Sequence, residues 1–206
     1  IQRYAGTTPP QELITLATVL PPSPSRAELY RSLLAIDPGN PALQLRSLQV
    51  LAATNPAQAE AQAAQLVAAN PSVLDWYFVQ GEIAQQTGNS ALARQSYETV
   101  LARQPNNFDA LLALAGLEFQ LGRYDRAEDL YQQALALNPD SATARTSLGA
   151  LNAVQGYPLA ALRQLKAYQQ ELAAVGLSNP PVNRQIQQIQ EGLLLQRGFQ
   201  LPWERF

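Results

Sequence analysis

A spacing of 34 residues recurs through most of this 206-residue chain, in several series that share one phase. A fixed period of about 20 to 50 residues is the sequence signature of repeat architectures. Because small residues, turn residues and prolines all keep the same step, the sequence predicts a stack of similar units. The series are Gly81, Ala115 and Gly149; Gly88, Gly122 and Gly156; Ala93, Ala127 and Ala161; and Pro71, Pro105 and Pro139.

Each unit is predicted to be two amphipathic helices joined by a tight turn, because apolar residues fall at helical spacing on both sides of each turn glycine. The small residues Gly81 and Ala93, with their equivalents, would let the two helices of a unit approach closely. Tyr97 and Tyr131 are expected to fill the space between neighbouring units. In the clearest unit, Asp125 is expected to cap the second helix.

These features resemble the tetratricopeptide-repeat (TPR) family, whose unit has a small residue, glycine, alanine, aromatic residue and proline in the same order. The resemblance implies an all-α fold, a right-handed α-solenoid of helix-turn-helix repeats. It covers three clear units at residues 74–105, 108–139 and 142–174, and a weaker one at 40–71. The weak unit has Thr54 in place of the turn glycine, compensated by Asn55-Pro56, so we expect an irregular turn there.

The two ends of the chain depart from the repeat. Residues 10–38 predict a degenerate helix pair interrupted by a PPSPS segment. Residues 181–198 predict a capping helix, with apolar residues on one stripe to cover the last unit. The aromatic tail, residues 199–206, is expected to dock marginally on this helix and the last unit, or on a partner. We expect residues 1–206 to form one domain. The capping stripe consists of Ile186, Ile189 and Leu193, and Gly198 is the expected helix stop.

Composition argues against catalysis. The chain has no histidine and no cysteine, which removes His acid–base chemistry, thiol nucleophiles and the usual transition-metal ligands. Its only lysine is Lys166. Asp125, Glu128 and Asp129 share helical spacing, but negative charge in the first turn of a helix is favourable without any ligand. We therefore predict no enzyme, no cofactor and no metal.

Charge and hydropathy restrict the partners. The formal net charge is -2, so the chain lacks the basic surface that nucleic acid requires. No apolar run approaches the roughly 18 to 20 residues that span a bilayer. Because the chain contains no methionine, Ile1 is not a translational start, and we expect a processed chain or a piece of a longer protein. A cysteine-free chain fits either the cytoplasm or the periplasm of a bacterium, and the oligomeric state stays open.

In the family that this chain resembles, the first helix of each unit lines a concave groove. The resemblance implies a groove that is apolar and small rather than cationic, which suits an amphipathic helix or an extended hydrophobic segment of a protein partner. It lacks the basic residues that hold acidic chaperone tails. A register error of one residue would instead place Phe78 or Leu112 in the core. The implied groove residues are Gln44, Leu48, Phe78, Glu82, Gln85, Leu112, Gly116, Phe119, Thr146 and Ala150.

Two functions remain open at this point. The first is a protein–protein interaction scaffold that binds a peptide or helix in the groove. The second is a structural TPR segment of a larger bacterial envelope or exopolysaccharide export assembly, because the repeat style, rich in Gln, Ala and Asn-Pro, is weakly similar to TPR proteins of exopolysaccharide and cellulose secretion. A signal segment before Ile1 in the full-length chain would favour the second.

Overall fold

The computed structural model describes residues 11–196, and all regular structure within that range is helical, as predicted. A short 3-10 helix at Pro24–Arg26 precedes the second α-helix. The α-helices are α1 (Gln11–Val19), α2 (Ala27–Leu34), α3 (Pro41–Thr54), α4 (Pro56–Ala69), α5 (Leu74–Gln86), α6 (Ser90–Arg103), α7 (Phe108–Gln120), α8 (Tyr124–Leu137), α9 (Ala142–Val154), α10 (Pro158–Ala174) and α11 (Pro180–Gln196). None of these helices is long and apolar enough to cross a membrane. The predicted aromatic tail and the stop at Gly198 lie outside the described residues.

The chain divides into two compact units, Ile1–Arg103 and Gln104–Phe206. The first contains α1 to α6, and the second contains α7 to α11. In both units, consecutive helices pack side by side in the predicted pairs, α5 with α6, α7 with α8 and α9 with α10. That residues 1–206 form a single domain stays a prediction.

The predicted turn glycines adopt the backbone conformation for which glycine is favoured. Gly88, Gly122 and Gly156 have φ angles of 80°, 73° and 89°. Around the first of them, the Asn89 N–H donates to the Ala84 carbonyl at 2.8 Å and the Gly88 N–H donates to the Gln85 carbonyl at 3.2 Å. This pair of hydrogen bonds is the Schellman motif, which ends a helix at a left-handed glycine.

The irregular turn expected in the weak unit is confirmed. Asn55 ends α3 and also caps α4, with no turn glycine between the helices. Its side-chain oxygen accepts a hydrogen bond from the Gln58 N–H at 3.2 Å, and Pro56 follows at the first helical position. An Asn cap followed by Pro satisfies one free N–H group and removes another, so the short connection is stable.

The prediction that Asp125 caps α8 is wrong. The helix begins at Tyr124, so Arg123 occupies the cap position and Asp125 lies in the first turn. The reason is the glycine turn, in which the Arg123 N–H donates to the Glu118 carbonyl at 2.9 Å and the chain re-enters a helix directly afterwards. The carboxylate of Asp125 still lies where the helix dipole favours negative charge.

Close packing inside a helix pair depends on glycine, as predicted. A Cβ atom at Gly81 would lie 2.5 Å from the ring of Tyr97, and one at Gly149 would lie 3.1 Å from the side chain of Leu165. Tyr97 was expected to fill space between neighbouring units, but its ring lies against Gly81 of its own helix pair. The ring of this tyrosine therefore takes the volume that a side chain at position 81 would need.

In the unit Gln104–Phe206, α11 caps the last repeat, as the stripe of apolar residues predicts. Val182, Ile186 and Ile189 are buried against a cluster that includes Leu165 and Tyr168 of α10. Leu193 is partly buried at the edge of the same cluster. Helix α11 contacts α9 as well as α10, so it takes the place that the first helix of a further repeat would have.

Candidate partner-binding surface

The predicted groove residues lie on one stripe of each first helix. The spacing of four and three residues between members keeps them on one helix face. Nine of the ten side chains are half-buried, which leaves part of each accessible. Those of the first unit are Gln44 on α3 and Phe78, Glu82 and Gln85 on α5, and those of the second unit are Leu112, Gly116 and Phe119 on α7 and Thr146 and Ala150 on α9.

Leu48 is the exception and is removed from the predicted groove. Its side chain is 2% exposed and packs in a cluster with Val79 and Ile83 of α5 and Ala59 and Ala63 of α4. At successive steps of 34 residues, the equivalent positions in the later repeats are Glu82, Gly116 and Ala150. A leucine at this position reaches the core, whereas a charged residue or a short one does not.

The stripe on α5 rests on Tyr97. The ring of Phe78 lies 5.8 Å from the Tyr97 ring at an angle of 53°, a tilted aromatic contact. The hydroxyl group of Tyr97 donates a hydrogen bond to the Gln85 side-chain oxygen at 3.2 Å. Burial raises the pKa of Tyr97 above its ordinary value of 10.0, and the negative charge of Glu82 raises it further. The predicted groove residues of the first unit thus include three polar side chains, Gln44, Glu82 and Gln85, in addition to Phe78.

Stability should fall in alkaline solution because of Tyr97. The unfolded chain releases this proton near pH 10, whereas the folded chain keeps it, so the contribution is full below about pH 10 and is lost as pH rises above it. The free energy of unfolding, measured in urea at about pH 8 and about pH 11, should fall less between the two pH values for Tyr97→Phe than for the parent. The control is Tyr157→Phe, at a residue that is 62% exposed. An equal loss of unfolding free energy in the parent and in Tyr97→Phe would contradict the assignment of this pH dependence to Tyr97.

The second unit presents a less polar surface, which we call the α7–α9 face. It consists of Leu112, Gly116, Phe119, Thr146 and Ala150, none of which is charged. The Phe119 ring lies 5.8 Å from the Tyr124 ring, which holds it at the end of α7. Helix α7 contacts α9, so the two helices that carry these residues are neighbours within this unit.

The one buried carboxylate of α7 lies among arginines. The side chain of Glu118 is fully buried, and its oxygens lie 3.3 Å from Arg123 Nη1 and 3.7 Å from Arg126 Nη1. Both arginine side chains are about half exposed, so solvent reaches the cations. The positive charges of the two arginines balance the charge of this buried carboxylate beside the α7–α8 turn.

A cleft continues this surface between α9 and α11, and we call it the α9–α11 cleft. Its volume is about 430 Å³. One hydrogen bond joins its two sides, from the Gln185 amide nitrogen to the Thr146 carbonyl at 2.9 Å. Its lining consists of Ala150, Ala153, Gly156, Pro158, Gln185, Gln188, Ile189, Gly192, Leu193 and Gln196. Ala150 was predicted to line the groove, but its position beside α11 was not predicted, because no repeat period relates α9 and α11.

The described residues contain no group of three or more acidic side chains that could hold a metal ion. Between residues 11 and 196, every buried side-chain nitrogen or oxygen atom has a hydrogen-bond partner. The α7–α9 face and the α9–α11 cleft have no charged member, so burial of apolar area and neutral hydrogen bonds are the interactions that they offer.

Comparisons with known proteins agree with this architecture. The family model described as "Tetratricopeptide repeat" matches residues 48–107, 78–142 and 112–174, which together cover more than half of the chain. Human "Tetratricopeptide repeat protein 7B" is 34% identical over 105 residues, which is 50% of this chain and 12% of that protein. The chain thus spans only a small part of this relative.

Solved structures of low sequence identity share the fold. A tetratricopeptide repeat protein from Parabacteroides merdae is 18% identical, with a TM-score of 0.67, and the match covers 80% of this chain and 64% of that one. The TPR protein TTC0263 from Thermus thermophilus is 21% identical, with a TM-score of 0.64, and the match covers 82% and 89%. At such identities the likeness establishes the fold alone.

Proposed function

Because this chain belongs to the tetratricopeptide-repeat family, we propose that it is an interaction scaffold that holds a hydrophobic segment of a partner protein. The observation that carries the proposal is the α7–α9 face, on which half-buried Leu112, Gly116, Phe119, Thr146 and Ala150 form a set without a charged member. A partner that covers Leu112 and Phe119 gains about 25 cal/mol for each Å² of apolar surface removed from water. An amphipathic helix or an extended apolar segment has the shape for such a surface.

We infer that the scaffold is not a catalyst. The chain has no histidine or cysteine, and its single lysine, Lys166, is exposed on α10. The buried carboxylate of Glu118 has Arg123 and Arg126 beside it and is not part of the α7–α9 face. No acid, base and nucleophile are therefore placed together on the proposed binding surface.

We infer that the partner is a protein and not nucleic acid. The net charge is -2, and the α7–α9 face has no cation to pair with a phosphate group. Within residues 11–196, no feature favours a segment of a bacterial export assembly over an independent scaffold.

Selection from a random peptide display library tests this proposal with a defined probe. The enriched peptides should carry apolar residues at helical or alternating spacing and little net charge. Their binding should change little between about 0.1 M and about 1 M salt, because screening acts on charge pairs and not on apolar contacts. Enrichment of acidic or basic peptides whose binding collapses in high salt would overturn the proposed mode.

A further inference from the structure

Half of the residues that line the α9–α11 cleft are alanine, glycine or proline, and three others are glutamines; the volume of the cleft is about 430 Å³. Ala150 and Ala153 form the α9 wall, and Gly192 forms part of the α11 wall. Ile189 and Leu193 add apolar surface, and no charged residue lines the cleft. A space with this lining is complementary to large apolar side chains.

The packing of the described residues does not require glycine at position 192. Glycine inside a helix is less favourable than alanine because it loses more backbone freedom on folding. A Cβ atom at Gly192 would meet nothing within 4 Å, whereas one at Gly81 would lie 2.5 Å from Tyr97. A bare backbone at position 192 is useful if another segment approaches α11 there.

We propose that the chain's own C-terminal segment, residues 197–206, binds in the α9–α11 cleft. The segment starts directly after Gln196, which itself lines the cleft. Its residues Phe199, Leu201 and Trp203 alternate with polar residues or proline, so an extended backbone places all three on one side. These large apolar side chains match the alanine, glycine, isoleucine and leucine residues of the cleft lining.

The segment is long enough to reach along the cleft. From Gln196 back to Gln188, α11 covers about 12 Å, at a rise of 1.5 Å per residue. The eight residues from 197 to 204 reach about 26 Å when extended. The segment therefore has enough length to turn back along the cleft. A smaller cleft of about 280 Å³, lined by Leu177 and Val182, lies beside the other end of α11, farther from the start of the segment.

A segment bound in this way would cover Ala150 and so close one end of the α7–α9 face. The proposal does not depend on a partner at that face, because the cleft, Gly192 and the adjacent segment carry it alone. The proposal concerns a contact within the chain and is separate from the proposed scaffold function.

Disulfide trapping tests the proposal in the 206-residue chain, which has no cysteine of its own. Arg205→Cys supplies a thiol in the segment, on the same side of an extended backbone as Phe199, Leu201 and Trp203. It is combined either with Gln188→Cys, in the cleft lining, or with Gln187→Cys, a neighbouring exposed residue that does not line the cleft. In the two pairs, the cysteines are separated by nearly the same number of residues. The pairs therefore differ in the side of α11 that carries the second cysteine, and not in the length of chain between the two thiols. Oxidised glutathione is the oxidant, and the product is followed by gel electrophoresis.

We expect the Gln188→Cys pair to form its intramolecular disulfide at least about 10-fold faster than the Gln187→Cys pair, a difference of about 1.4 kcal/mol in favour of the bound geometry. The advantage should disappear when Phe199 and Trp203 are both changed to serine, and also when Gly192→Leu fills the cleft. Equal rates for the two pairs would overturn the proposal. A disulfide that forms only between two molecules would also overturn it, because the occupant would then be the segment of a second copy.

Discussion

Replacing Phe119 by glutamate is expected to weaken the binding of an apolar peptide by about 30-fold or more, which corresponds to about 2 kcal/mol. Phe119 is half-buried at the end of the α7–α9 face, so a bound segment would remove the rest of its ring from water. A carboxylate in its place would have to lose its hydration against an apolar partner without a cation to pair with. The affinity of a display-selected peptide, measured by isothermal calorimetry, checks this result.

Two control variants separate this effect from general charge and folding effects. Gln133→Glu adds the same charge at an exposed residue of α8, away from the face, and should leave the affinity unchanged. Phe119→Leu keeps an apolar side chain and should retain most of the binding. Far-UV circular dichroism should show the same helical content in all three variants. Equal affinity of the parent and Phe119→Glu would contradict the assignment of the face.

Replacing Tyr97 by alanine is expected to lower the free energy of unfolding by about 3 to 5 kcal/mol. Its side chain is only 1% exposed, and its ring fills the space above Gly81 and contacts Phe78. Alanine would leave a cavity there and would remove the hydrogen bond to Gln85. Guanidinium unfolding followed by circular dichroism measures the change.

The matched control for this variant is Tyr157→Ala. Tyr157 is 62% exposed, so the same truncation should cost less than about 0.5 kcal/mol. A loss of less than about 1 kcal/mol for Tyr97→Ala would mean that the pair α5 and α6 does not depend on this ring.

The helical architecture was predictable because its period and its turn chemistry agree. Gly88, Gly122 and Gly156 are 34 residues apart, and each has the positive φ angle for which glycine is favoured. The Asn55-Pro56 pair likewise marked a connection without glycine, and the structure has it. Local backbone preferences of this kind act over a few residues, so the sequence displays them directly.

The environment of single side chains was harder to predict. The repeat places Leu48 in register with Glu82, but register does not determine how deeply a side chain packs, and Leu48 is buried. The cap of α8 was assigned to Asp125 from residue type alone, although the Gly122 turn brings the helix start to Tyr124. The α9–α11 cleft joins segments about 40 residues apart, with Gln185 bonded to Thr146, and no periodic signal connects them.

Amide NMR chemical shifts, recorded with and without a display-selected peptide, would show whether a partner binds to the first helices of the repeats. We expect the largest chemical shift changes around Leu112 and Phe119 on α7 and around Thr146 and Ala150 on α9, with the exposed sides of α8 and α10 unchanged. Changes confined to α8 or α10, with α7 and α9 unaffected, would contradict this expectation.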